Sequence, residues 1–354
     1  GKSIKFQQAI DLSSKANLPE KKYSIESGRP VLTWQIFSEK AGEYPLTLQY
    51  MASNITWKAD YLVTFNGETQ MLDILVWVTI KNETDASFQN AQVRLLSTNK
   101  EVKDTYPVDQ GRIVSFQSER GYSPSAQVTN FPFVIYEYPM ERKINIEGHE
   151  TKQILYTQAD EIPYTRKYIY EGNAAVIRNI IDSKCYISQV PLRQERSWGK
   201  ETQNGIYEYL EFKNDKEKGL GQPLPRGKVR VYRKEQDYSL SWIADDSLEN
   251  ASSGDITRIR IGMLKDVLGQ RIQVDFKPIV PDHLYDEIFE IKLTSYQKQD
   301  INIEVIEHLY RWPQWKIVES SQEFKQTGQY TIHFEVVLPA EGEKNISYTV
   351  RYKW

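Results

Sequence analysis

The stretch from Gly219 to Lys234 reads GLGQPLPRGKVRVYRK, and its glycines and basic residues could cradle a phosphate group. A Walker loop requires a serine or threonine directly after its lysine, because that hydroxyl binds the metal ion. Here Val229 follows Lys228, and two prolines remove backbone N–H donors from the stretch. The pattern therefore predicts an extended approach to a β-strand, with Val229 and Val231 entering the core.

Histidines close to glutamates could bind a metal ion. His333 and Glu335 lie two residues apart, on one face of a predicted strand, and Glu307 directly precedes His308. Two such strands side by side could supply three ligands, but the sequence does not place them side by side. An isolated His-x-Glu pair on the polar face of a strand is usually solvated. We therefore predict no metal ion and no other cofactor.

No nucleophile motif stands out, and no carboxylate pair does. The sequence lacks a Gly-x-Ser-x-Gly elbow. The single cysteine, Cys185, excludes an internal disulfide and a cysteine-rich zinc site. Asp245, Asp246 and Glu249 are grouped in IADDSLE, which we interpret as a polar turn. The sequence favours a protein that is not an enzyme, without deciding the question, because carboxylate pairs depend on spatial separation.

Aromatic side chains are the remaining candidates for a binding site. Tyr310, Trp312 and Trp315 are grouped around Pro313 in HLYRWPQWKI, and Trp198 lies in the polar stretch RQERSWGKETQ. Pro313 prevents a regular ladder and predicts a loop or bulge. Exposed tryptophans there could stack on sugar rings or anchor a protein partner, whereas buried ones would cap one end of a sandwich. We name Trp198, Tyr310, Trp312 and Trp315 as candidate ligand-binding residues.

Composition limits the class of protein. With 40% hydrophobic and 26% charged residues, the chain is globular rather than disordered. The 45 basic and 48 acidic residues are mixed along the sequence and give a net charge of -3, which argues against a nucleic-acid partner. No apolar run approaches the roughly 20 residues of a membrane-spanning helix. The chain has no signal peptide and begins without methionine, which we interpret as a mature form or a fragment.

Apolar residues alternate with polar ones in many short runs, as is typical of strands with one buried face. The clearest runs are MLDILVWVTI, YTIHFEVVL and ISYTVRYKW, and RIQVDF and KVRVY follow the same rule. Asn66-Gly67 between two apolar runs predicts a hairpin. Amphipathic helices are nearly absent, apart from a short one predicted within residues 3–15, and GMLKDVLGQ is predicted to be a loop. The fold is therefore predicted to be all-β, built from antiparallel β-sandwich domains with few short helices.

Changes in composition predict two domains and an extension. Residues 1–30 form an N-terminal extension or the remnant of a further domain. Residues 31–165 form a first β-sandwich domain, and residues 166–354 form a second one. The polar, turn-rich segment 98–130 is predicted to be a mobile excursion on the surface.

Several stretches resemble, in the right order, segments of one bacterial protein family. They are LTLQYMASNITWKADYLVTF, WVTIKNETDASFQNAQVRLLS, LEFKNDKEKGLGQPLPRGKVRVYR, IRIGMLKDVLGQRIQVDFK and the end from VIEHLYRWPQWKIVESS to ISYTVRYKW. The residues that carry the likeness most clearly are Tyr50, Trp57, Tyr61, Asn82, Asn90, Ala91 and Leu95. The chain resembles the DUF4139 family of uncharacterised bacterial proteins, some of which are called mucoidy-inhibitor-like.

The resemblance implies a bacterial β-sandwich protein, often exported, and no established reaction. We therefore expect a non-enzymatic module of the cell envelope, in the periplasm or on the cell surface, that acts through protein–protein contact or as a structural piece. The alternative is a carbohydrate-binding module or a cryptic hydrolase that uses exposed aromatic residues.

Overall fold

The structure is a computed structural model. It describes residues 5–6, 50–51, 53–98, 135–173, 196, 205–309, 311–312, 314–328 and 330–353. Within these residues the chain is almost entirely β-strand, and helix is limited to one 3-10 turn at Lys216–Lys218. The all-β fold predicted from the sequence is confirmed.

Twenty strands lie within the described residues. They are β1 (Lys5–Phe6), β2 (Tyr50–Met51), β3 (Ile55–Asn66), β4 (Met71–Asn82), β5 (Phe88–Ala91), β6 (Arg94–Thr98), β7 (Ile135–Pro139), β8 (Ile144–Ile146), β9 (Thr151–Pro163), β10 (Thr165–Tyr170), β11 (Gly205–Lys213), β12 (Gly227–Lys234), β13 (Leu240–Leu248), β14 (Ile256–Val280), β15 (Leu284–Ser295), β16 (Ile301–His308), β17 (Trp315–Ser320), β18 (Lys325–Gly328), β19 (Thr331–Leu338) and β20 (Glu343–Lys353).

The chain divides into two compact units, which interleave along the sequence. The first unit comprises residues 1–57 and 80–152, and the second comprises residues 58–79 and 153–354. The domain boundary after residue 165 stays a prediction. Most of the predicted extension 1–30 and of the predicted excursion 98–130 lies outside the described residues, as does most of the predicted N-terminal helix.

The described part of the first unit contains short two-stranded ladders, β5 with β8 and β6 with β7. Buried Trp57 and Tyr138 meet edge to face with ring centroids 5.7 Å apart. Buried Asn82 fixes the turn after β4, since its Nδ2 donates to the carbonyl oxygens of Ala86 at 2.7 Å and Glu147 at 2.8 Å. A buried side-chain amide thus replaces ladder bonds where the strand ends.

The second unit contains a nine-stranded sheet in the order β17-β20-β15-β14-β11-β10-β16-β19-β18. Neighbouring strands are antiparallel except β10 and β16, which are parallel. The sheet curls on itself. Phe334 of β19 and Tyr348 of β20 lie near opposite edges of the sheet, and yet their ring centroids are 5.8 Å apart. The two halves of the sheet therefore enclose one hydrophobic core between them.

The alternation read from the sequence gives the buried faces of most strands. In β4 the inward residues are at most 1% exposed, and in β19 and β20 they are at most 2% exposed. They are Leu72, Ile74, Val76, Val78 and Ile80 in β4, Ile332, Phe334, Val336 and Leu338 in β19, and Ile346, Tyr348, Val350 and Tyr352 in β20. Burying a side chain of this size contributes roughly 1.5–3 kcal/mol, so these rows account for much of the core's stability.

A second sheet has the order β13-β12-β3-β4-β9, with β12 parallel to β3. The predicted hairpin at Asn66-Gly67 joins β3 to β4 and is confirmed. The Oδ1 atom of Asn66 accepts from the backbone N–H of Glu68 at 2.8 Å and of Thr69 at 3.1 Å, while the N–H of Gln70 donates to the carbonyl oxygen of Asn66 at 3.1 Å. An Asx turn of this kind satisfies the backbone groups where the ladder stops.

Strand β14 overturns two sequence predictions. GMLKDVLGQ, predicted to be a loop, lies inside this 25-residue strand, because ladders with β11 and β15 on its two sides outweigh the local preference of two glycines. Glycine is required at position 269, since a Cβ atom there would come within 2.2 Å of the Tyr170 ring.

The second prediction concerns RIQVDF. Ile272 and Val274 face outward at 43% and 47% exposure, and Arg271 faces the core. The register irregularity between Gln273 and Asp275 then returns Phe276 to the inside. The apolar residues of this run therefore do not share one buried face.

The stretch Gly219–Lys234 is the entry to a strand, as its sequence predicts, and Val229 and Val231 are buried. Fully buried Asn214 organises the approach. Its Nδ2 donates to the carbonyl oxygens of Gln222 at 2.8 Å and Ser252 at 2.9 Å, and its Oδ1 accepts from the N–H of Gly221 at 2.8 Å. A single amide therefore satisfies three backbone groups of the connection.

Asn214→Ala should lower the free energy of unfolding by about 1–3 kcal/mol, because it leaves the carbonyls of Gln222 and Ser252 and the N–H of Gly221 without their partner. Asn214→Asp, which keeps the acceptor and loses both donors, should also destabilise the chain. The measurement is urea unfolding followed by far-UV circular dichroism. Gln222→Ala in the same connection is the matched control and should change stability by less than about 0.5 kcal/mol. Equal stability of Asn214→Ala and the control would contradict this account.

Candidate functional site

The structure describes two of the four aromatic residues predicted to bind a ligand. Trp312 and Trp315 are half-buried and pack against the core of the nine-stranded sheet. Trp315 is the first residue of β17, where it lies opposite Tyr352 of β20. Trp198 and Tyr310 lie outside the described residues. The structure thus brings Trp312 and Trp315 to one core, and their role in binding stays a prediction.

More exposed aromatic side chains lie on the β12–β13 hairpin. Tyr238 is 79% exposed, Trp242 is 60% exposed and Leu240 is 51% exposed. Half-buried Tyr232 of β12 lies directly opposite Trp242. Residues directly opposite each other in a ladder share a face of the sheet, so Trp242 lies on the side away from Val231 and the core. We call Tyr232, Tyr238, Leu240 and Trp242 the aromatic surface.

A β-bulge sets the orientation of Trp242. Val231 lies opposite Ala244 and Tyr232 lies opposite Trp242, so that one extra residue stands in β13 between them. The bulge puts Asp245 close to the indole, and the Nε1–H of Trp242 donates to Asp245 Oδ1 at 3.2 Å. The hydrogen bond holds the edge of the indole ring while most of the side chain stays exposed.

The tip of the hairpin is fixed by short polar contacts. The N–H of Glu235 donates to the carbonyl oxygen of Ser239 at 2.9 Å, and Asp237 Oδ1 accepts from the N–H of Ser239 at 3.0 Å and from its hydroxyl at 2.6 Å. Tyr238 has a φ of 63°, in the left-handed region, and its ring lies under the Lys234 ammonium at 5.4 Å. The turn therefore presents the Tyr238 side chain outward.

An open depression adjoins the hairpin tip. It is lined by residues 66–68 of the β3–β4 turn and by residues of the β12–β13 turn, and Gln236 Nε2 donates to Glu68 Oε1 at 3.0 Å between the two turns. Arg233 holds Glu235 through its Nε at 3.0 Å and its Nη2 at 2.8 Å. Polar atoms from two turns thus converge in a depression that includes Asp237 and Ser239, the chain neighbours of Tyr238.

The carboxylates at this tip are hydrogen-bond acceptors. Hydrogen bonds from Arg233 and then Ser241 lower the pKa of Glu235 below its usual value. Hydrogen bonds from the side chain and backbone of Ser239 lower the pKa of Asp237. Both groups are ionised at neutral pH and act as hydrogen-bond acceptors.

A separate group of charged residues is buried inside the curled nine-stranded sheet. Arg271 and Glu307 are at most 1% exposed and form an ion pair with 2.7 Å between Nε and Oε2. The hydroxyl of Tyr348 donates to the same Oε2 atom. The Arg271 guanidinium also lies 3.7 Å from the centroid of the Phe289 ring. Glu307 therefore joins strands β14, β16 and β20 across the core.

A second buried ion pair accompanies the first. Arg311 Nη2 donates to Glu287 Oε1 at 2.8 Å, and Gln273 Nε2 donates to the same oxygen at 2.6 Å. Both charged residues are fully buried, and the Arg311 guanidinium lies 4.4 Å from the centroid of the Phe276 ring. Both pairs are buried in the core, and they tie its strands together.

The histidines considered as metal ligands have other partners. Strands β16 and β19 are neighbours, but His333 Nδ1 lies 3.0 Å from Glu304 Oε1 and Lys325 holds Glu335 at 2.7 Å. Glu307 faces the core instead. In the part of the chain that the structure describes, no three His, Cys, Asp or Glu side chains are grouped closely enough to hold a metal ion.

Sequence reasoning missed the aromatic surface and assigned its neighbours wrongly. Asp245 and Asp246 lie in strand β13 and not in a polar turn. One feature of the sequence could have indicated this surface. Leu240 and Trp242 are two residues apart and directly follow the turn residues EQDYS, so they lie on one face of a strand. Their exposure could not be read from that spacing, because the bulge decides which face of the sheet each residue joins.

A scan of the sequence against protein-family models gives no match, and a search of curated proteins gives none either. The resemblance to the DUF4139 family therefore stays a prediction. Within the described residues, no helix has the length and apolar character needed to cross a membrane.

Arg271→Met should cost about 3–5 kcal/mol of stability, because it leaves the buried Glu307 carboxylate without its counter-ion. The double variant Arg271→Met/Glu307→Leu should recover most of that loss, since it removes both charges from the core. Urea unfolding of the wild type, both single variants and the double variant gives the coupling free energy between the two positions. A double variant as unstable as the sum of the singles would refute the pairing.

Stability should fall above about pH 10 in a way that depends on Tyr348. Burial, and then the charge of Glu307, raise the pKa of Tyr348 well above its usual value. The folded chain thus holds a proton that unfolded tyrosine releases, so this stabilisation is complete below about pH 10 and is lost as the pH rises toward the folded pKa.

Tyr348→Phe should therefore make the alkaline decline in unfolding free energy shallower, by up to about 1.4 kcal/mol per pH unit. Urea midpoints between about pH 8 and pH 11 measure the slope. The matched control is Tyr296→Phe, at a tyrosine that is 65% exposed, and its slope should equal that of the wild type. Parallel slopes for all three proteins would show that Tyr348 does not keep its proton.

Proposed function

We propose that the chain is a non-enzymatic β-sandwich module of the bacterial cell envelope that acts by contact with another protein. The supporting observation is the apolar row on the outer face of β14. Leu268, Ile272 and Val274 are 43–47% exposed. Even-numbered spacing along the strand puts their side chains on the same face. Apolar side chains grouped on the outer face of a soluble protein often mark an interaction surface, and this row places three of them on one face.

The row is fixed by the core beneath it. Val267 and Arg271 point inward on the same strand, and alternation then directs Leu268 and Ile272 outward. Strand β14 pairs with β11 as far as Leu268 and with β15 from Val267 to Val280, so the β15 ladder runs alongside Ile272 and Val274. A partner would contact the exposed side chains of the row.

The chemistry of the surroundings also supports binding rather than catalysis. Among the described carboxyl groups whose pKa is shifted, each pKa is lowered by hydrogen bonds from neighbouring groups, as for Asp275 beside the row. The proposed envelope location is supported by the resemblance to exported bacterial proteins. The same resemblance supports a purely structural role in the envelope, which is the other form of this proposal.

Ile272→Lys and Val274→Lys test the proposal. Lysine at 272 would lie opposite Glu290 of β15, where opposite charges are compatible with the fold. The immobilised chain is exposed to a bacterial envelope extract, and retained proteins are identified and quantified. A protein retained by the wild type should be reduced at least about tenfold by either substitution, because apolar anchors dominate such contacts.

Val337→Lys is the matched control, since Val337 is 60% exposed on β19. It should retain the same protein as the wild type. Equal retention by Ile272→Lys, Val274→Lys and the control would reject the apolar row as the contact surface. If the wild type retains no protein above an empty matrix, the proposal of a protein partner fails.

A further inference from the structure

We propose that the aromatic surface binds a neutral oligosaccharide chain. This site is distinct from Trp198, Tyr310, Trp312 and Trp315, the aromatic residues that the sequence suggests. It also lies on another sheet from the apolar row of β14. The proposal rests on three features of the surface: rings that are exposed and held in place, acceptors that are ionised, and cations that already contact Glu235 or the Tyr238 ring.

The rings are available for stacking. Tyr238 and Trp242 are more than half exposed, and they are four residues apart along the hairpin. At the rise of a strand their Cα atoms are separated by no more than about 13 Å. The apolar faces of sugar rings pack against aromatic rings, and two exposed rings on one hairpin can contact more than one sugar of a chain.

The rings are also preorganised. Trp242 is held by its hydrogen bond to Asp245, and Tyr238 is held by the turn and by the Lys234 ammonium. A side chain whose rotamer is fixed before binding loses less conformational entropy when the ligand arrives. Exposed aromatic residues without such contacts, in contrast, would have to be ordered by the ligand.

Hydrogen-bonding groups lie where hydroxyl groups of a sugar could reach them. The depression at the hairpin tip is lined by Asn66, Glu68, Gln236, Asp237 and Ser239, among others, and the last two flank Tyr238 in the chain. Carboxylates and side-chain amides accept hydrogen bonds from hydroxyl groups, and amides also donate. A sugar would replace the water that these exposed groups now bind, so it would exchange one set of hydrogen bonds for another.

The charges of the site favour a neutral ligand. Glu235 and Asp237 are ionised at neutral pH, and hydrogen bonds lower the pKa of each further below its usual value. Arg233 is bound to Glu235, and Lys234 lies over the Tyr238 ring. An anionic glycan would meet ionised carboxylates, while the nearby cations are engaged. A polysaccharide that carries uronic acid or sulfate is therefore disfavoured.

The same charges make a protein partner less suitable here than on β14. The most important residues of a protein interface lie in its desolvated centre. At the aromatic surface a flat protein contact would have to desolvate the Arg233–Glu235 pair and the Gln236–Glu68 bond, which costs free energy. A narrow sugar chain could contact the rings and leave these exposed pairs in water.

The test is isothermal titration calorimetry of the chain with neutral hexasaccharides of glucose, N-acetylglucosamine, xylose, mannose and galactose. At least one should bind to the wild type, and Trp242→Ala should weaken its binding at least about tenfold, as expected when a stacking ring is removed. Tyr238→Ala should weaken it less, and Trp242→Phe should retain part of the affinity. Binding should be almost unchanged between about 50 and about 500 mM NaCl, since a neutral ligand is not screened.

Two controls separate this proposal from others. Tyr296→Ala, at another exposed tyrosine of the same unit, should bind like the wild type, and so should Ile272→Lys of the apolar row. Thermal midpoints of all variants establish that each is folded. The proposal is overturned if no neutral hexasaccharide binds, if Trp242→Ala binds as well as the wild type while folded, or if binding falls steeply with salt. Ile272→Lys is tested both for retention of the envelope protein and for binding of the oligosaccharide. The two proposals can therefore fail independently of each other.

Discussion

The structure of the second unit depends on one buried carboxylate. Glu307 of β16 accepts from Arg271 of β14 and from Tyr348 of β20, so that three strands are tied across the core of the curled sheet. Removing a carboxylate from water is unfavourable unless donors compensate it, and here a guanidinium and a phenol do so. Any slip of β14 by one residue would direct Arg271 to solvent and leave Glu307 without its counter-ion. The pairing therefore specifies one register of the sheet.

That register has a consequence on the outer face of β14. With Arg271 directed inward, alternation directs Ile272 outward, although isoleucine would ordinarily be the buried residue of the two. The register of β14 that buries the Arg271–Glu307 ion pair is therefore the same register that exposes the apolar row. Only at the irregularity near Gln273 does the phase change, and Phe276 then joins the core under the Arg311 guanidinium. A surface suited to contact is produced by the demands of the interior.

The sequence predicts the fold well where alternation is regular and fails where the phase changes. Strands β4, β19 and β20 bury the residues that their patterns indicate, because both neighbours of each strand impose one face. Alternation alone could not assign RIQVDF, since it cannot detect a buried arginine whose partner lies 36 positions away. GMLKDVLGQ looks like a loop because its glycines weaken strand propensity, yet the ladders of β11 and β15 hold it extended. Such long-range constraints are not present in the local sequence.

The same limit applies to the candidate binding site. The two tryptophans around Pro313 stand out in the sequence, and they are half-buried against the core. Trp242 does not stand out, and it is exposed because a bulge in β13 pairs it with Tyr232 on the outer face. The sequence shows which residues are tryptophans, but the register of the strand determines which face of the sheet each one joins and whether a ligand can contact it.

In the described part of the chain, the carboxyl groups whose pKa values are shifted are hydrogen-bond partners of their neighbours. The tyrosine with the strongly raised pKa, Tyr348, is fully buried and donates to Glu307, so it stabilises the core and does not meet solvent. The carboxylates at the aromatic surface have lowered pKa values because their neighbours donate to them. Such groups accept hydrogen bonds, and at the aromatic surface they could hold a hydroxyl group of a ligand in place.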